Sequence, residues 1–240
     1  MIDLDRIKFG KKKKPSDPET PSFELLRAAV EGGVHRPGVV AVTSAVPEDG
    51  KTAAAHGLAA SLGAIGYRTL LIDSAVQRDP IVRPAAGSSL EEMLLDAPSE
   101  TVIPRLRVVS LAAPAIREAS LPSVAQALTA VRSSGRYDYV VVNAGCVLAS
   151  AFSAHIVNSA DAVLVAIRAG RRRHAEDAQL TERLGQNAGR FFGVVAIEPS
   201  IVTSPSILVG LRGTDAGHRS EHGRIDAEAY LRAVRPRVER

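Results

Sequence analysis

The sequence predicts an α/β protein built on a mostly parallel sheet with helices covering both faces. Short, continuously apolar segments recur along the chain: GVVAVTS (38–44), RTLLID (68–73), LRVVSL (106–111), YVVVN (139–143), DAVLVAI (161–167) and FFGVVAI (191–197). They do not alternate apolar with polar residues, so each is expected to be buried on both faces. Helix-patterned stretches lie between them, and strand–helix–strand connections cross right-handed and leave the strands parallel. A chain of 240 residues is long enough for one such domain with a full core.

Residues 1–21 form a polar lead-in rich in Lys, Pro, Asp and Glu. Its run Lys11 to Lys14 reads as a solvated linker or as a contact with anionic lipid, at about 1 kcal/mol per charge. The α/β domain is expected over 22–205 and a polar tail over 206–240. Within the domain, SFELLRAAVEG (22–32) predicts a helix with Ser22 as its cap and Phe23, Leu26 and Val30 on one face. Residues 50–65 predict a second, with Ala54, Leu58, Leu62 and Ile65 on one side and Gly66 as its stop. Further helices are expected at 121–134 and 174–187, and a short one around 226–234, ended by Pro236.

Composition excludes several classes. A net charge of +4, from 30 basic and 26 acidic residues, is too mild to indicate a nucleic-acid partner, and 4% aromatic residues leave few rings to stack on bases. One cysteine, Cys146, excludes an intramolecular disulfide and a cysteine-based zinc site, and suits a reducing cytoplasm. No apolar run approaches a transmembrane span and no signal-type apolar region follows the basic cluster, so work at a membrane would require recruitment.

The chemistry is announced by 42-VTSAVPEDGKTAAAHGLAASLG-63. The turn SAVPEDGKT leaves the first strand at its carboxyl end, where ligands of open parallel sheets sit, and enters a helix. Gly50 lets the backbone approach a phosphate, Lys51 brings a positive charge, Thr52 offers a hydroxyl to Mg²⁺, and the helix N-terminus adds free N–H groups. The strict pattern is G-x-x-x-x-G-K-[ST], and Ala45 stands at its first glycine. ATP or ADP with Mg²⁺ is the expected ligand, with Ala45, Gly50, Lys51 and Thr52 as the binding residues.

With GYRTLLIDSAVQRDP, YDYVVVNAGCV and ADAVLVAIRAG following in that order, residues 22–200 resemble the cytoplasmic domain of bacterial tyrosine autokinases. These are capsule and exopolysaccharide regulators within the deviant Walker group of P-loop NTPases, which also holds the Min- and Par-type ATPases. The signature lysine of the Min/Par loop is Val46 here. The resemblance implies a doubly wound sheet of about seven or eight strands. It also implies control of polysaccharide assembly through an inner-membrane co-polymerase, and ring-shaped homo-oligomers built partly on an E-x-x-R-x-x-R helix motif. Glu24 and Arg27 match that motif and Val30 breaks it.

The departures matter as much. The family's second motif reads LLIDxDxRxP; Asp73 keeps its first acid, Ala75 replaces the second, Gln77 replaces the arginine, and Arg78 and Pro80 restore the ending only with a one-residue shift. The third, VIIDTPP, is VVNAGC here, with Asn143 at the acid. Gly57 stands for a usual Asn after the loop, and FFGVVAIEP lacks the Asn that helps recognise the base. Magnesium is held by anionic oxygens, and phosphorylating a phenol needs a proton acceptor, so Asp73 is the remaining candidate for both metal and catalysis, beside Thr52 for metal.

Acceptors are few. Tyr230 reads as a docking or packing residue, and Tyr137 and Tyr139 as structural. His56 reads as a surface or second-layer histidine, His218 and His222 as tail residues, and Arg171 to Arg173 as a solvated turn, with a partner contact as the alternative. Glu48 and Asp49 are expected to order the loop. The reading is an exopolysaccharide or capsule regulator of tyrosine-kinase type, cytoplasmic and recruited to the inner membrane, with weak or lost phosphoryl transfer. An active kinase using Asp73 and a Min/Par-like positioning ATPase are the alternatives.

Overall fold

A computed structural model describes residues 22–74, 89–96, 98–101, 103–111, 116, 119–168, 175–185, 190–197 and 207–211. The elements run α1 (Ser22–Gly33), β1 (Gly38–Ser44), α2 (Lys51–Ala64), β2 (Thr69–Asp73), α3 (Leu90–Asp96), β3 (Ser99–Glu100), β4 (Leu106–Ser110), α4 (Leu121–Ser133), β5 (Tyr139–Cys146), α5 (Ala151–Ser159), β6 (Ala162–Arg168), α6 (Ala175–Gly185), β7 (Phe191–Ile197) and β8 (Ile207–Leu211). The sheet has eight strands in the order β3-β4-β2-β5-β1-β6-β7-β8. Six are mutually parallel, and the edge strands β3 and β8 pair antiparallel with β4 and β7. The doubly wound, mostly parallel sheet expected from the sequence is therefore present.

The apolar strands are explained by their two faces. In β1, Val39 and Ala41 join the core beneath α3, α4, α5 and α6, while Val40 and Val42 join the core beneath α1 and α2. Leu70 and Ile72 against Leu71 in β2, and Val140 and Val142 against Val141 in β5, divide in the same way. Strand side chains alternate between faces, so a strand covered on both must be apolar throughout.

Four elements were not drawn from the pattern: α3, β3, α5 and β8. The AFSAHIVNS of α5 is small and mixed, yet Ser150 caps it by accepting from the Ser153 N–H. β8 carries the sheet into the stretch read as tail, pairing Ile207 to Leu211 with β7. Helix α2 stops where expected, but one residue of its stripe is corrected. Gly66 at φ 104° turns the chain, its N–H reaches Gly63 O and that of Tyr67 reaches Leu62 O, closing a Schellman turn. Ile65 is thereby left outside the helix and 49% exposed, while Ala54, Leu58 and Leu62 are fully buried.

Helix α1 lies on α2 through Leu26 and Val30, both fully buried, with Phe23 packed against the same cluster. The expected Ser22 cap lies outside the described side chains. Gly57 has its reason here: a Cβ at that position would fall inside the Phe23 ring. Arg27 is occupied within the chain, with Nη1 3.4 Å from Ser61 Oγ and Nε 3.7 Å from Glu31. At the amino ends of the strands, Arg68 ties β2 to β5. Its Nη2 and Nε donate to the two oxygens of Asp138 at 2.7 and 3.2 Å, and its backbone N–H donates to the same carboxylate. Those bonds hold the Asp138 carboxyl below its ordinary range. Tyr137 and Tyr139 are buried beside them, in keeping with structural roles.

Two outcomes follow for stability. Gly57→Asn lowers unfolding free energy by about 1–3 kcal/mol through overpacking, and Phe23→Ala in the same chain restores part of that loss, as read by urea unfolding. Because the folded state depresses the Asp138 pKa, its stabilisation is full above the unfolded value and is lost as pH falls through the folded one. Asp138→Asn is therefore less stable than the unmutated chain at neutral pH, and the difference closes below about pH 4 in thermal unfolding.

Candidate functional site

The site lies at the carboxyl edge of the central strands. β1 runs into the loop Ala45–Gly50, and Gly50, at φ 82°, occupies the left-handed cap position of α2. A side chain there would be strained and would also meet Ile197. The loop is held from both sides. Ser44 Oγ donates to Val46 O at 2.7 Å, and Lys51, 8% exposed, reaches back to Pro47 O at 2.7 Å. Asp49 is fully buried and accepts the Arg168 N–H at 3.2 Å, while Glu48 lies 3.7 Å from the Arg168 guanidinium. Asp49 thus ties the loop to β6, while Glu48 is 84% exposed. Glu48, Asp49, Gly50, Arg168 and Ile197 line an open recess of about 390 Å³ beside it.

The acid positions of the second and third motifs meet, with Asn143 at the latter, because β2 and β5 are parallel neighbours in which Asp73 pairs with Asn143. Ser74 locks the strand ends, its N–H and hydroxyl both donating to Asn143 O. Asn143 Nδ2 then donates to Asp73 Oδ1 at 2.8 Å and to Thr52 Oγ1 at 3.1 Å. Asn143 is fully buried, and its Oδ1 has no hydrogen-bond partner. The amide orientation follows from chemistry: an oxygen turned toward the Asp73 carboxylate would meet another acceptor, whereas N–H bonds it.

His56, read as a surface or second-layer histidine, is 40% exposed at its side chain and stands behind Asp73. It lies one helical turn beyond Thr52 on α2, and its Nε2 is 3.1 Å from Asp73 Oδ2. The i,i+4 spacing from Thr52, on a helix known to face the strand ends, was the available signal. Asp73 itself is 1% exposed.

The third motif also departs in backbone. Gly145 sits at φ 73°, a conformation closed to the proline of VIIDTPP. Its carbonyl accepts the Thr43 hydroxyl at 2.8 Å, and Thr43 Oγ1 accepts the Val147 N–H at 3.2 Å. The altered loop is thus stitched to β1.

Of the sequence candidates, the fold brings Thr52, Asp73 and Asn143 into one hydrogen-bonded chain, with Lys51 and Gly50 adjacent in the loop; Ala45 is 5% exposed at its start. Ala75, Gln77, Arg78, Pro80, Arg171 to Arg173, His218, His222 and Tyr230 lie outside the described residues. Among the described residues, no cluster of three His, Cys, Asp or Glu could hold a metal, and no helix is long and apolar enough to cross a membrane.

No protein-family profile matches the chain. Tyrosine-protein kinase CpsD of Streptococcus agalactiae is 27% identical over 188 residues, spanning 72% of this chain and 79% of that protein. The kinase domain of the Escherichia coli tyrosine kinase ETK superposes with a TM-score of 0.59 at 20% identity, covering 84% of this chain and 89% of that one. Cobyrinic acid a,c-diamide synthase from Mycobacterium smegmatis, solved with an ATP analog and magnesium, does so with a TM-score of 0.54 at 18% identity, over 68% and 75%. The two structural likenesses bear on the fold; the CpsD match extends it into sequence. By sequence and fold together, the chain is similar to the bacterial tyrosine kinases, and it shares the α/β fold of their kinase domains.

Proposed function

We propose that this chain is a nucleotide-binding regulator of capsule or exopolysaccharide synthesis in which phosphoryl transfer is weak or lost. The observation that carries it is the chain Thr52–Asn143–Asp73, in which an amide N–H₂ lies between the hydroxyl and the carboxylate of a Mg²⁺–nucleotide site. Lys51 and the N–H groups opening α2 supply phosphate contacts, with Gly50 setting the turn. Lys51 exchanges Pro47 O for phosphate oxygen when nucleotide enters. Magnesium is usually held by one or two carboxylates with phosphates and waters, and it fits this donor set poorly because the one carboxylate at the three aligned motif positions has a side-chain nitrogen against each oxygen. Asp73 is the candidate proton acceptor for a phenol, but both of its oxygens are already engaged.

The partner in this reading is an inner-membrane polysaccharide co-polymerase that recruits the chain, and nucleotide occupancy biases that association. Self-association is part of the reading, although the inward turn of Arg27 onto Ser61 and Glu31 argues against a ring built on that arginine.

Titration calorimetry with ADP gives binding to the unmutated chain that Lys51→Ala weakens by on the order of 10- to 100-fold, the worth of a charge-assisted hydrogen bond. Incubation with Mg-ATP yields at most trace phosphotyrosine. Strong autophosphorylation abolished by Lys51→Met would sink the lost-transfer reading and restore the active-kinase one.

A further inference from the structure

We infer that this site binds the phosphates of its nucleotide without help from a divalent cation, because two side-chain N–H donors already occupy the carboxylate that would hold one. The inference rests on the nucleotide-binding reading above and deepens it.

Asp73 Oδ1 accepts from Asn143 Nδ2 at 2.8 Å, and Asp73 Oδ2 lies 3.1 Å from His56 Nε2. A carboxylate only accepts, so Nε2 carries the proton. The same amide group donates to Thr52 Oγ1, the hydroxyl that would otherwise ligate the metal. An N–H cannot ligate a cation. Asn143 must turn, His56 must release its oxygen, and Thr52 must be freed before Mg²⁺ gains two protein oxygens. Mg²⁺ dehydrates reluctantly and demands near-ideal octahedral oxygen geometry, so two oxygens, one of them neutral, return little for that rearrangement.

The donors are built into the fold. Asn143 is fully buried at a position fixed by the β2–β5 register and by Ser74. Its Nδ2 makes two donations, one to Asp73 and one to Thr52. His56 is 40% exposed at its side chain and reaches inward to an almost fully buried acid. His56 and Asn143 are therefore positioning residues that substitute hydrogen bonds for metal–oxygen bonds. The phosphate charge falls to Lys51, which is nearly buried, and to the α2 N-terminus.

The test is ADP titration into the full chain, in excess Mg²⁺ and in EDTA. The two affinities differ by less than about twofold for the unmutated chain, and Lys51→Ala weakens both. Asn143→Asp with His56→Ala, which returns an acid and frees Asp73, makes ADP bind more tightly in Mg²⁺ than in EDTA by on the order of tenfold. Should the double variant fail to fold by circular dichroism, His56→Ala alone decides, since its half-exposed site tolerates truncation. It must open a smaller gap in the same direction. ADP binding that EDTA abolishes and Mg²⁺ restores overturns the inference and leaves the nucleotide reading standing. Variants indifferent to Mg²⁺ overturn the roles of His56 and Asn143. No ADP binding in either buffer overturns the nucleotide reading, and this inference with it.

Discussion

The hydrogen bond from Asn143 to Asp73 is the constraint around which the carboxyl edge of this sheet is organised. Parallel pairing of β2 with β5 puts the two side chains next to each other in the interior, where their interaction is least screened. Two carboxylates at such positions repel by about 4 kcal/mol at 4 Å and an effective dielectric constant of 20. A bound cation can offset that repulsion. An asparagine removes it and supplies a donor, so the folded chain is self-sufficient there and its driving force for holding a cation falls.

The rest of the site accommodates that choice. Thr52 is drawn into the same network, His56 closes the other oxygen of Asp73, and Gly145 takes a left-handed turn that lets Thr43 bridge to it. The loop keeps its shape by different means. Buried Asp49 holds the Arg168 backbone on β6, and Gly50 lies against Ile197 on β7. The same turn is tied to β5 through Thr52 with Asn143 and Ser44 beside Cys146.

How much of this was legible in the sequence varied with the range of the forces involved. Six strands could be read because a strand buried on both faces is apolar at every position, a signal independent of its partners. The strand order was not legible, since no local pattern encodes which strands pair; the resemblance placed the positions of Asp73 and Asn143 around one site, and the structure makes them neighbours. β8 escaped notice because ILVGL follows polar sequence and precedes a polar tail, and its pairing partner is what makes it a strand. Ile65 was misplaced because hydrophobic period alone ignores that a left-handed glycine ends the helix and redirects the side chain before it. Gly57 could be read as a departure but not explained, since the ring that fills its space comes from α1, 34 positions earlier at Phe23.

His56 shows the limit most clearly. A histidine among alanines on a small-residue helix carries no intrinsic mark of function. Its meaning comes from an aspartate 17 residues away in sequence whose other oxygen is already bound by an asparagine a further 70 residues on. Each substitution considered singly is mild: an alanine-rich helix gains an imidazole, and an aspartate becomes its isosteric amide. Jointly they place the protein's own side-chain nitrogens against both oxygens of one buried acid. The same P-loop scaffold can therefore keep the geometry of phosphate recognition while changing what neutralises the acid beneath it, and the loop alone does not reveal which of the two a chain has become.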